Sequence, residues 1–269
     1  MQHLGTRMTF RRSTTATREA RAGVIYDFGM NNGDDVEYYL FKADRVVGVE
    51  ANADLCELVR KRFAKEIDAG RLTVLNVALS EEASARPLTF YIHKTNHVLS
   101  QLPEPDENIR DEFEAVTVPC RTPSSIVREF GRPLYIKIDI EHYDHNVLRE
   151  LFASRIYPPE ISAESHSVAI FACLVEHGYK SFSLVDGQTV SEKYGSATIK
   201  TATGHKSYSF PDHSAGPFGD DIQSPWEDAD SFLQTLAAAG LGWKDIHASR
   251  VPRPVGPGAS PEQNELVTG

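Results

Sequence analysis

Two short stretches gather the residues that could do chemistry. The first, VIYDFGMNNGDD at residues 24–35, is an apolar run entering a turn with the spacing Asp27-x-Gly29-x-Asn31-x-Gly33, followed by Asp34 and Asp35. A glycine-rich turn after the first strand of an open α/β sheet lies at the carboxyl edge, where such folds bind nucleotides. A phosphate ligand fits poorly. The dinucleotide pattern G-x-G-x-x-G begun at Gly29 would need glycines where Asn31 and Asp34 stand, and no G-K-S or G-K-T follows to make a P-loop. Three aspartates would also repel a phosphate.

Glu50 ends the next apolar run, RVVGVEAN, 21 positions beyond Gly29. An acid there suits a ribose, whose two hydroxyls can both donate to one carboxylate. Asn76 is the polar residue late in the third run, RLTVLNVAL, where an adenine edge would lie. S-adenosylmethionine has the ribose, no phosphate, and cationic ammonium and sulfonium groups, so the acid becomes an asset and Asp27 can lie near the ammonium.

The second stretch is YIKIDIEHYD, residues 135–144. Strand alternation puts Lys137, Asp139 and Glu141 on one side and Ile136, Ile138 and Ile140 on the other. Repulsion between Asp139 and Glu141 would raise one pKa and make a better base, whereas Lys137 could neutralise both. His142 is a third candidate base, by its ordinary pKa near 6.5. His145 is expected on an exposed helix face. Glu164 and His166 reach the same edge from the following strand and could contact substrate. Asp139, Glu141, Glu164 and His166 have the ligand types for magnesium or manganese, but their spacing is not diagnostic, and the sequence reading assigns no metal. His93, His97 and Ser100 border a polar loop, and Asp245 with His247 reads as a satisfied buried pair. Phe210, Phe218 and Trp226 could cover an acceptor pocket or pack on the core.

The elements that must position these residues alternate. Strand-like runs at 23–29, 45–52 and 71–79 enclose helical patterns near 34–42 and 53–68, a βαβαβ start. Antiparallel-looking strands at 86–94 and 113–120 flank the polar loop 95–112, whose length suits a substrate lid. The βα rhythm resumes with strands at 133–141, 159–165 and 179–187 and helices at 122–131, 143–154 and 166–178. Residues 188–226 read as an irregular insertion, followed by a helix at 228–240 and a last strand at 243–249. One domain is expected over 23–250.

Composition agrees with a globular chain: 41% of the 269 residues are hydrophobic and 25% charged. The net charge of −10 argues against a nucleic-acid surface. Residues 1–22 hold five arginines and one acid, a local +4 that leaves −14 on the rest. They are expected to be a disordered basic tail without a secretory h-region, and the Pro/Gly-rich 251–269 a flexible one. Cys56, Cys120 and Cys173 fit neither a disulfide framework nor clustered zinc ligands, so a reducing, cytoplasmic setting is expected. No apolar run reaches membrane-spanning length.

Taken together, DFGMNNG, VVGVEAN, LNVALSEE, YIKIDIEHYDHNVLREL and PPEISAES make residues 23–187 resemble the FkbM family of S-adenosylmethionine-dependent methyltransferases. They match the family's D-x-G-A-N-x-G, E-P-N, N-x-A-L-S, I-K-I-D-V-E-G-x-E-x-x-V-L and P-x-x-x-x-x-E segments. The resemblance implies an α/β class I methyltransferase fold: a Rossmann-like sheet of seven strands, mainly parallel with the last antiparallel, and helices on both faces. It places Asp27, Gly29, Asn31 and Gly33 at the methionine end of the cofactor, Glu50 at the ribose, and Asn76 with Val77 at the adenine, with Asn52 a further cofactor-binding residue. It implies O-methylation of a hydroxyl on a small molecule or sugar; charge and hydropathy lead to no expected nucleic-acid or membrane partner, and homo-oligomer formation is left open. Met30, Ala51 and His142 depart from the pattern, His142 standing where the family has glycine. A nicotinamide-dependent oxidoreductase, disfavoured by the broken glycine pattern, and a catalytically silent binding or scaffold protein are the alternatives.

Overall fold

A computed structural model of the chain describes residues 23–82, 87–102, 104–201 and 203–254. The expected tail 1–22 and most of the expected tail 251–269 lie outside the described residues. Seven strands form the central sheet: β1 Val24–Phe28, β2 Arg45–Glu50, β3 Leu72–Asn76, β4 Pro133–Ile138, β5 Glu160–Ser165, β6 Ser181–Asp186 and β7 Gly242–Ser249. Their order is β6-β7-β5-β4-β1-β2-β3, all parallel except β7, which runs antiparallel to both neighbours. Six helices of seven or more residues flank the sheet: α1 Val36–Lys42, α2 Ala53–Arg62, α3 Pro123–Phe130, α4 Asp144–Ala153, α5 Val168–Glu176 and α6 Ala229–Ala239. Side chains accept a backbone N–H at four of their starts: Asn52 from Asp54, Thr122 from Ser125, Ser167 from Ala169 and Asp228 from Ser231.

The two sheet faces differ in chemistry. On one, Phe28, Val49, Ile136, Ile138, Ile161 and Ile246 pack on apolar stripes of α3 to α6 that include Leu148, Ile170, Phe171 and Phe232. On the other, the strand register aligns Asp27, Lys137, Ser162, His247 and Ser183 in one row across five strands. That row is buried, flanked by an apolar cluster in which Ile25, Val46 and Tyr135 meet Tyr38 and Tyr39 of α1.

Residues 188–226 are more regular than expected. They hold a short helix Val190–Lys193 and an antiparallel hairpin, Ala197–Thr201 with Gly204–Tyr208. The pattern is legible afterwards: Ala197 and Ile199 turn inward while Thr198 and Lys200 face out, too few apolar residues to register as a strand. Phe210, Phe218 and Trp226 pack on the core, with Phe218 stacked on Tyr135 at 4.1 Å between centroids and 6° between planes. Tyr38 Oη and Lys42 Nζ both donate to Asp221, at 2.8 and 2.6 Å, fastening the segment to α1.

Three boundaries shift. The expected strand 71–79 divides: Leu72–Asn76 stays in the main sheet, and Ala78–Leu79 pairs with Cys120–Arg121. The helix 53–68 breaks at Phe63. Strand 133–141 ends at Ile138, so Asp139 and Glu141 stand on a loop. Leu88–His93 and Phe113–Val118 form a separate antiparallel pair.

Candidate active site

A cavity of about 540 Å³ opens over the carboxyl ends of β1, β2, β4 and β5, within the range of about 300–1,000 Å³ usual for small-molecule sites. The turn after β1 forms its floor. Gly29, Asn31 and Gly33 have φ of 87°, 51° and 77°, a left-handed series that glycine and asparagine tolerate best. Space imposes a second demand at Gly29, where an added Cβ would sit 1.7 Å from the Asp139 carbonyl oxygen. Gly29 and Met30 both donate to the Val49 carbonyl at 3.0 Å, tying the turn to β2.

Glu50 anchors that wall. Its Oε2 accepts from Asn31 N–H at 2.9 Å and its Oε1 from Asn52 N–H at 2.8 Å. Burial raises its pKa, and the backbone donors of Asn52, Asn31 and Ala51 oppose that rise. Glu50 itself lines the cavity, where its carboxylate can accept a further donor.

Opposite stands the β4–β5 edge, with Lys137, Asp139, Glu141, Glu164 and His166. Lys137 is buried with Asp139 at 3.1 Å, Asp27 at 3.7 Å and Asp35 at 3.9 Å. Burial opposes its charge, yet the surrounding carboxylates hold its pKa well above the lysine range. Burial pushes Glu141 up to about 8, assisted by Glu164 and Asp139, and Glu164 up to about 9, assisted by Asp139. Asp144, 1% exposed, is pushed up to about 6 by burial and by Asp139. His166 Nε2 lies 2.9 Å from Glu164 Oε2 and 3.7 Å from Glu141 Oε2.

Of the residues assigned from the sequence to cofactor binding or catalysis, Gly29, Asn31, Glu50, Val77, Asp139 and Glu141 line the cavity. Asp27, Gly33, Asn52 and Asn76 stand behind its wall. Asp27 is fully buried in the polar row beneath the turn, where burial pushes its pKa up to about 7 against the pull of Lys137. At Gly33 an added Cβ would meet Val59 at 2.9 Å, so its small size serves packing on α2. Asn52 spends its side chain capping α2, and Asn76 donates to the carbonyls of Glu50 at 3.0 Å and Ala51 at 2.8 Å. These four fix the turn and Glu50 from behind.

His142 is exposed beside the rim, not in the wall, its ring 4.6 Å from that of His166. Burial and then the neighbouring imidazole lower its pKa. Its φ of 64° and that of Glu141, 33°, explain why the family pattern has glycine here: the loop stays left-handed although the residue has a side chain.

His97 and Ser100 reach the cavity, whereas His93 turns to Glu112 at 3.2 Å. Asp245 and His247 are both buried but do not satisfy each other. Two positions apart on β7, they rise side by side from one face, and Asp245 Oδ1 and His247 Nε2 have no hydrogen-bond partner. Burial alone pushes His247 down to about 3. His145 is half-buried in a groove against α5 instead of exposed.

Sequence reasoning took Asp35 only as part of the acidic turn and missed Trp243. Asp35 accepts from Ser214 Oγ and from Ala215 N–H at 3.1 Å. Trp243 lines the cavity beside His213, the rings stacked at 6.3 Å. Aspartate in a turn and tryptophan opening a strand carry no local signal of either role.

A parallel sheet with its reversed strand between β5 and β6, and an open cleft over the carboxyl ends of β1, β2 and β4, defines a class I methyltransferase fold. The chain belongs to the methyltransferase FkbM domain family, whose pattern matches residues 27–213. Membership brings S-adenosylmethionine as methyl donor. The residues present fit it: a carboxylate with free lone pairs suits a ribose, and the acid-rich walls suit a phosphate-free cation. Among solved structures, methyltransferase FkbM from Methylobacillus flagellatus is similar at 16% identity over 58% of this chain and 36% of that one, TM-score 0.39. This chain thus spans about a third of that protein's length. A SAM-dependent O-methyltransferase from Thermotoga maritima is similar at 9% identity over 93% and 68%, TM-score 0.39. The C-terminal domain of precorrin-6Y C5,15-methyltransferase from Rhodobacter capsulatus is similar at 11% over 87% and 85%, TM-score 0.38. No curated protein matches the sequence. Among the described residues no helix is long and apolar enough to cross a membrane.

Proposed function

We propose that this chain methylates a hydroxyl of a small molecule or sugar. The observation that carries the reading is the continuity of one cavity from Glu50 and Asn31 to Asp139, Glu141, Glu164 and His166. S-adenosylmethionine supplies an electrophilic methyl group on a sulfonium. Glu50 accepts from the ribose hydroxyls, Val77 borders the adenine, and Gly29 with Asn31 lets the backbone approach the methionine end. Asp27, Gly33, Asn52 and Asn76 position that wall from behind. Alignment in the cleft supplies much of the rate, with effective molarities on the order of 10⁵ M or more for well-placed reactants.

Across the cavity Asp139 takes the acceptor's proton. Glu141 orients the acceptor, and His142 shapes the rim. His213 and Trp243 offer a ring platform at the acceptor end, suited to the apolar face of a sugar or a flat metabolite. The acidic walls disfavour phosphorylated acceptors. Thermal-shift titration tests the cofactor half: S-adenosylhomocysteine raises the melting temperature and NAD does not. Stabilisation by NAD alone would overturn the reading.

A further inference from the structure

We infer that Glu141, Glu164 and His166 form a site for one divalent cation of the manganese or magnesium type at the acceptor end of the cavity. The inference rests on the methyl-transfer reading for its chemistry, not for its geometry. The three ligating atoms all lie within 4.8 Å of one another. His166 Nε2 is 2.9 Å from Glu164 Oε2 and 3.7 Å from Glu141 Oε2. Donors bonded to one ion at about 2.0–2.2 Å stand about 3 to 3.5 Å from their neighbours. Despite this proximity, buried Nε2 makes no hydrogen bond. Nitrogen and carboxylate oxygen are close without pointing at one another, as two donors aimed at a common third centre would be.

Asp144 is an independent sign. It is 1% exposed, neither of its carboxylate oxygens has a hydrogen-bond partner, and its charge acts on Glu141, Glu164 and His166. A carboxylate buried without compensation is costly. Lys137 is already surrounded by Asp139, Asp27 and Asp35. A divalent cation between Glu141, Glu164 and His166 balances the excess, with Asp144 behind it. Carboxylate oxygens are ligands suited to manganese and magnesium, and manganese also accepts an imidazole.

A cation there lowers the pKa of an acceptor hydroxyl bound to it. The proton passes to Asp139, the oxygen bonds to the methyl carbon, and the pair from the broken methyl–sulfur bond stays on sulfur as a neutral thioether.

The test is Mn²⁺ titration of the chelator-stripped full chain, followed by the loss of the free-ion paramagnetic signal. One saturable Mn²⁺ per chain is expected. Glu164→Gln and His166→Ala weaken it by about tenfold or more. In wild-type protein, pulsed paramagnetic spectra show ¹⁴N coupling that changes to ¹⁵N when the histidines are labelled, a readout that needs no variant to fold. Absence of saturable binding, unchanged affinity in both variants, or no histidine coupling overturns the site. Calorimetric titration of the same metal-free protein with S-adenosylhomocysteine separates the failures. Binding of that ligand without Mn²⁺ binding removes the metal alone, whereas its failure to bind removes the underlying methyl-transfer reading.

Discussion

The ribose assignment makes a quantitative prediction at Glu50. Glu50 lines the cavity and its oxygens accept backbone N–H groups from Asn31 at 2.9 Å and Asn52 at 2.8 Å; the two ribose hydroxyls are expected to donate to the same carboxylate. Hydrogen bonds to a charged group contribute about 1.5–3 kcal/mol each. Two of them, at the low end because the competing state is solvated, give about 3 kcal/mol, or roughly a hundredfold in affinity. Glu50→Ala also deprives Asn31 N–H and Asn52 N–H of their acceptor, so a bare loss of affinity would not identify the ribose. The comparison must therefore be made in both partners. Calorimetry of wild type with S-adenosylhomocysteine and its 2′,3′-dideoxy analogue is expected to show the hundredfold loss. The same pair of ligands should differ by less than about threefold in Glu50→Ala, because the acceptor is already gone. Equal losses in both proteins would refute the assignment, whatever Glu50→Ala does to overall affinity.

Other predictions address the turn, the acidic edge and the buried row. Gly29→Ala puts a Cβ 1.7 Å from the Asp139 carbonyl oxygen at a φ of 87°; it should abolish calorimetric cofactor binding, and retention of binding would show that the turn is not the floor of the site. Asp139→Asn should cut turnover by about 10²-fold or more at saturating cofactor while leaving the cofactor Kd within about threefold, and an unchanged rate would remove Asp139 from proton transfer. For His247, burial pushes the folded-state pKa from 6.5 down to about 3, so between these values the unfolded chain binds the extra proton. Its contribution is intact above pH 6.5 and lost as pH falls toward 3. From pH 7 to pH 5 wild type should lose about 2 kcal/mol of unfolding free energy more than His247→Leu, and parallel curves in denaturant titrations would contradict the buried neutral imidazole.

The parallel half of the fold was legible because its strands are continuous apolar runs: β1 is buried at all five positions, and VIYDF needs no tertiary context to read as a strand. The turn and Glu50 were legible as a spacing. Side-chain direction was not. Asp27 falls in the same alternation as Ile25 and so points into the sheet face, whereas a turn motif read as a string suggests that every polar member meets the ligand. The segment 188–226 was opaque because its order depends on distant partners: Phe218 on Tyr135, and Ser214 on Asp35 across 179 residues. The β4 edge was half legible. Alternation placed Asp139 and Glu141 together, but only the left-handed backbone at Glu141 and His142 turns Glu141 toward Glu164 and His166.

A crystal structure with bound S-adenosylhomocysteine tests the central claim most directly. Both ribose hydroxyls are expected within hydrogen-bond distance of the Glu50 carboxylate, with adenine beside Val77 and sulfur facing the Asp139–Glu141 edge across the cavity. A ligand seated elsewhere, or with its ribose away from Glu50 and its sulfur turned from Asp139, would contradict it.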